Sequence, residues 1–170
     1  LEGLPVLVSD FIKGVTLKEL VQVRRLTFRE AATLLAEVAE ALDYAHNLGV
    51  IHRDVKPGNI MIARDGQPVV MDFGLARDDS SDSAELTRTG DVFGTPPYMA
   101  PEQVSGDQGA LDRRADVWSL GVTLYECLTT RRPFEAPTRQ ALYQAILATE
   151  PVDPRTYNPA IPRDLAVVIA

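Results

Sequence analysis

The sequence predicts an α+β domain, mainly helical with short β-hairpins, on three observations. Two capping boxes, Thr16 with Glu19 and Thr27 with Glu30, stand at the heads of helix-period patterns. Two short strand-like runs, "NIMI" and "PVVM", flank an Asp65–Gly66 turn signal. A third run, "ADVWSLGVTLYECLT", is apolar on nearly every side and reads as a buried helix.

In chain order, "LPVLV" (residues 4–8) is short and β-branched, as a buried strand is. Thr16 opens a short helix in "TLKEL". Behind Thr27, the residues Ala31, Leu34, Leu35, Val38, Ala41, Leu42 and Ala45 recur at helical spacing. They predict a long amphipathic helix over Phe28–Asn47, with Gly49 at its C-terminal cap. "VI" at 50–51, "NIMI" and "PVVM" then read as strands. Residues 78–91 are acidic and rich in Ser and Thr, with little to bury, and are expected to form a mobile loop. The buried helix follows, and Arg132–Pro133 is expected to end it. "TRQALYQAILATE" is a further amphipathic helix closed by Pro151, "VDPRTYNPAIP" a proline-rich connector, and "RDLAVVIA" the start of another helix.

The 170 residues are 45% hydrophobic and 24% charged, enough for one domain with a real core. A net charge of -7 argues against a nucleic-acid footprint. The single cysteine, Cys127, lies in an apolar run and reads as a core residue. It allows no disulfide within the chain and suggests a reducing compartment. No apolar run approaches the roughly 18–20 residues of a membrane span, and the first ten residues lack the pattern of a signal peptide. A cytoplasmic domain is expected, with anchoring of a parent protein left open.

The stretch "VIHRDVKPGNIMI" places His52, Arg53, Asp54, Lys56 and Asn59 between apolar runs. Charges there are costly to desolvate unless paired or working. Three motifs then fall in order: "HRDVKPGN", "DFG" at 72–74 and "GTPPYMAPE" at 94–102. In this order and spacing they resemble the catalytic half of a eukaryotic-type protein kinase, and "YMAPEQ" and "LTRTG" resemble the bacterial serine/threonine members.

The resemblance implies transfer of the ATP γ-phosphate to Ser or Thr hydroxyls of proteins. Asp54 would accept the hydroxyl proton, Lys56 would balance charge on the transferring phosphate, and Asn59 and Asp72 would hold Mg²⁺, with Mn²⁺ as an alternative. Phe73 would set the pointing of Asp72, and Thr95 would bridge Asp54 and Lys56. Thr87 and Thr89 stand at the loop phosphosites, and Arg53 would receive the phosphate. Backbone groups of Asp10 and Ile12 would meet the adenine in a hinge, with Ser9 as gatekeeper. His52 and Asp116 resemble scaffold residues, and His46 reads as a hydrogen-bonded structural histidine.

The expected division is 1–12 as the last small-lobe strand and hinge, and 13–170 as the large lobe, cut before its final helices. Both ends read as cut. The Gly-rich loop, the strand lysine and its glutamate, and the arginine that pairs Glu102 in the family have no counterpart in the sequence. ATP and Ser/Thr-bearing proteins are the expected partners, together with a kinase dimer in the parent protein. The alternative is a pseudokinase-type nucleotide- or protein-binding regulatory module. Intact Asp54, Asn59 and Asp72 favour catalysis.

Overall fold

A computed structural model describes residues 11–73, 94–107, 109 and 111–169. The expected strand at 4–8, Ser9 and Asp10 of the hinge, Gly74, the loop at 78–91 and its Thr87 and Thr89 lie outside the described residues.

Strand β1 (Gly14–Thr16) leads into α1 (Leu17–Val23), then α2 (Phe28–Asn47). Both capping boxes form: Thr16 and Thr27 accept the backbone N–H groups of Glu19 and Glu30, whose carboxylates return to the cap N–H groups. Leu48 closes α2, and Gly49, at φ +79, follows in a Schellman arrangement. There Gly49 N–H bonds His46 C=O, and Val50 N–H bonds Ala45 C=O.

A hairpin follows, β2 (Ile60–Ala63) with β3 (Pro68–Val70), turning at Asp65–Gly66. The three strands form one antiparallel sheet in the order β1-β2-β3. Beyond it come α3 (Pro101–Ser105), α4 (Arg114–Thr129), α5 (Arg139–Ala148), α6 (Pro154–Tyr157) and α7 (Arg163–Val168).

The main core lies where α2 and α4 pack together. Ala31, Leu35, Val38 and Leu42 of α2 meet Leu124, Tyr125, Cys127 and Leu128 of α4, with Val55 and Ile60 between helices and sheet. A smaller cluster of Phe134, Leu142 and Ile146 joins α5 to Trp118. In α4 the buried hydroxyls turn back on their own helix: Ser119, Thr123 and Thr129 each bond the carbonyl four residues before. The helix is thereby buried without orphaned hydroxyls.

Several expectations are corrected. Val50–Ile51 forms no strand: Val50 N–H is spent on the end of α2, and the N–H groups of His52 and Arg53, just beyond the pair, go to a side chain described below. Strand β1 was not foreseen. It pairs through Gly14, where a Cβ would lie 2.1 Å from Ile62 C=O, so close backbone approach and not β-propensity makes it. Helix α4 stops at Thr129, before Arg132–Pro133. Thr130 turns left-handed (φ +62) and its N–H bonds Glu126 C=O. The connector holds α6, whose start Asp153 caps by accepting Arg155 N–H. Ile12 is half-buried and outside any regular element.

Desolvation pushes the Cys127 thiol up to about 12. Well below the unfolded thiol's pKa of about 8.5 the group is neutral in both folded and unfolded chains; as pH rises through that value the unfolded form ionises first, so stability declines with rising pH. Thiol-specific alkylation at pH 8 should therefore be slow in native protein and rapid in denaturant. Equal rates would contradict this packing of α4.

Candidate active site

The loop between α2 and β2 has no sheet ladder to satisfy its backbone. Asp116, in the first turn of α4, supplies the partners instead. Its fully buried carboxylate accepts His52 N–H at 2.8 Å, Arg53 N–H at 2.7 Å and the His46 Nε2 proton at 2.7 Å. A carboxylate at a helix start is further favoured by the macrodipole. The bond from His46 agrees with its reading as a structural histidine.

His52 is buried and packs against Phe73, the rings tilted by 56° with centroids 4.8 Å apart. Its Nε2 meets Met71 C=O at 2.7 Å, and its Nδ1 accepts Asp54 N–H at 3.2 Å. That pair of contacts requires a proton on Nε2 and none on Nδ1, a neutral imidazole. Arg53 between them is left-handed, φ +68, a conformation that strains a residue with a Cβ. It persists because Asp116 holds its N–H and the Gln103 side-chain amide donates to its C=O at 2.9 Å.

These contacts aim Asp54. Its Oδ1 accepts Thr95 N–H at 2.9 Å, and its Oδ2 accepts Lys56 Nζ at 2.5 Å and Asn59 Nδ2 at 3.1 Å. Lys56 also donates to Thr95 Oγ1 at 2.5 Å. The Lys56 and Asp54 side chains remain about a quarter exposed, so the pair opens to solvent. Asn59 is buried and spends its Nδ2 on Asp54 C=O and Oδ2, which turns its Oδ1 into a hard neutral oxygen donor.

Met71 N–H bonds Asn59 C=O at 2.8 Å, which extends the hairpin by one pair and sets Asp72 just beyond Asn59. Asp72 is left-handed (φ +61) and exposed, while its neighbour Phe73 packs into the core. Among the described residues there is no group of three His, Cys, Asp or Glu suited to a metal by themselves. One amide oxygen and one carboxylate do fit Mg²⁺ carried on phosphates, since that ion takes few protein ligands and completes its shell from phosphate and water.

Of the residues singled out from sequence, Asp54, Lys56, Asn59 and Thr95 form one hydrogen-bonded cluster, with Arg53 and Asp72 at its flanks. Ile12 has no bond to it. Sequence reasoning missed Gln103. Its signal was faint: a Gln three residues after Ala100, with Pro101 at the first helical position. It also missed Tyr98, whose hydroxyl donates to Glu126 at 2.5 Å and whose C=O accepts Ser119 Oγ at 2.8 Å. Burial, and then the Glu126 carboxylate, raise the Tyr98 pKa far above its ordinary value, so this anchor stays protonated. Among the described residues no helix is long and apolar enough to cross a membrane.

The family model described as protein kinase domain matches residues 4–164. The probable serine/threonine-protein kinase PknB of Bifidobacterium longum is 39% identical over 163 residues, 95% of this chain and 23% of its own length. The probable serine/threonine-protein kinase SCO3848 of Streptomyces coelicolor is 36% identical over 168 residues, 98% of the chain and 25% of its own. Serine/threonine-protein kinase PknB of Mycobacterium tuberculosis is 38% identical over 167 residues, 98% of the chain and 26% of its own. The chain thus spans about a quarter of the length of these curated relatives.

Removing the Asp116 carboxylate would orphan two buried backbone N–H groups and His46. Asp116→Ala should cost about 3 kcal/mol, at about 1–3 kcal/mol per unsatisfied buried donor with partial relaxation. Urea unfolding measures it; a loss below about 0.5 kcal/mol would show that other groups hold the loop.

Proposed function

The chain belongs to the protein kinase domain family, and on that premise we propose that it carries the catalytic loop of a serine/threonine kinase, which transfers the ATP γ-phosphate to Ser or Thr hydroxyls of proteins. The observation that carries this reading is the Asp54 carboxylate, fixed by Thr95 N–H, Asn59 and Lys56 and still open to solvent. Bound Mg·ATP would supply the transferable phosphoryl group and neutralise the charge around it. Asn59 Oδ1 and the Asp72 carboxylate would hold the metal.

Asp54 orients the substrate hydroxyl and takes its proton as the oxygen attacks phosphorus. Lys56 brings a cation within reach of the transferred group. Thr95 ties that cation to the substrate-side segment at 94–100, a pairing that supports Ser/Thr over Tyr as acceptor. Residues 13–170 correspond in this reading to the large lobe, with the adenine hinge at Asp10–Ile12. Thr87 and Thr89 are the proposed sites of autophosphorylation, with Arg53 as receiving cation.

Two substitutions in the encoded full-length protein separate the roles. Asp54→Asn should lower kcat about 100-fold or more, as loss of a general base does, while Mg·ATP affinity stays within a few-fold. Asp72→Asn should weaken Mg·ATP binding as well, read by calorimetry. Wild-type protein that binds Mg·ATP without transferring phosphate would favour a regulatory nucleotide-binding module. Mass spectrometry of active protein should find phosphate on Thr87 or Thr89; its absence from both would remove them from the mechanism.

A further inference from the structure

We propose that Gln103 is a positioning residue for phosphoryl transfer, a role that rests on the kinase reading of the site. Gln103 is 8% exposed, and its amide makes two bonds in opposite senses. Its Oε1 accepts Ala100 N–H at 2.9 Å, and its Nε2 donates to Arg53 C=O at 2.9 Å. Only this orientation satisfies both backbone partners. Ala100 has no side-chain oxygen, so the reciprocal half of a capping box is missing and Gln103 is left to serve the loop.

The contact matters because of which peptide it touches. The Arg53 C=O and the Asp54 N–H belong to one peptide plane. Gln103 holds its oxygen end, and His52 Nδ1 holds its nitrogen end at 3.2 Å. Arg53 is left-handed, so this plane sits next to a strained φ that favours rotation. Rotation would swing the residue that carries the base. The segment that includes Thr95 is thus fastened to the catalytic loop twice, at Asp54 and Lys56 through Thr95, and at Arg53 through Gln103. Gly94 (φ +116) backs onto the same carbonyl; a Cβ there would lie 3.5 Å from Arg53 C=O and 3.1 Å from Met99 Cε. Gln103 couples docking of the substrate-side segment to the aim of Asp54 without touching substrate or nucleotide.

The test uses the encoded full-length protein, Mg·ATP and a generic Ser/Thr-containing basic protein. Gln103→Met keeps length but neither donates nor accepts; kcat should fall about tenfold, the scale of one lost buried hydrogen bond, with the KM for ATP within twofold. Gln103→Glu discriminates further. A protonated carboxyl can donate to Arg53 C=O and an ionised one cannot. Burial at this 8%-exposed position raises the carboxyl of the introduced glutamate above its usual range, so its kcat relative to wild type should be highest near pH 6 and fall as pH rises toward 9. A Met variant with kcat within twofold of wild type, or a Glu variant whose ratio is flat with pH, overturns the role. Should Gln103→Met fail to fold, the pH profile of Gln103→Glu decides alone. An inactive wild type overturns the kinase reading and this role together, whereas an active wild type with unchanged variants overturns this role only.

Discussion

Asp116 is the point on which the site depends. A carboxylate with no solvent contact carries a desolvation penalty that one partner cannot offset. Here three donors converge on it: two consecutive backbone N–H groups of the loop between α2 and β2 and the imidazole of α2. The cost of burying the charge and the cost of leaving those backbone groups unpaired are cancelled by one arrangement. That arrangement also joins α2, α4 and the loop. Helix α4, packed on nearly every side, cannot shift without moving Asp116, and so the most rigid element of the core sets the backbone of the least regular one.

The order imposed there passes along the chain in steps that each use a polar contact. Asp116 sets Arg53 in a left-handed conformation, His52 and Gln103 hold the following peptide, and Asp54 emerges already aimed. The hairpin supplies the second half. Backbone pairing of Met71 with Asn59 carries the register of β2 and β3 to Asp72, and the His52–Phe73 ring contact closes the path back to the loop. The proposed catalysis by positioning needs such rigidity, because misplacement by about an ångström can cost orders of magnitude.

Helices α1 and α2 were legible because their signals are local. A Thr with a Glu three residues on, followed by apolar residues at period 3.6, defines α2 to the residue, and both capping boxes form as read. Non-local or purely geometric features were not legible. Strand β1 depends on Gly14 approaching Ile62, and the end of α4 depends on Thr130 accepting a left-handed φ that favours glycine. Val50–Ile51 looked like a strand because β-branched pairs usually are. A distant carboxylate took the next two N–H groups that a ladder would have used. The cluster of Asp54, Lys56, Asn59 and Thr95 was legible through family resemblance, which carries spacing. Gln103 was not, since a single amide two residues past a proline has no pattern of its own.

Native-state hydrogen exchange at the His52 and Arg53 amides of the full-length protein tests the role of Asp116 most directly. Exchange slowed to the rate set by global unfolding, matching amides in the middle of α4, is the expected result. Exchange of these two amides at the rate of an exposed loop, while α4 stays protected, would contradict it: the loop would then be held by something other than the buried carboxylate.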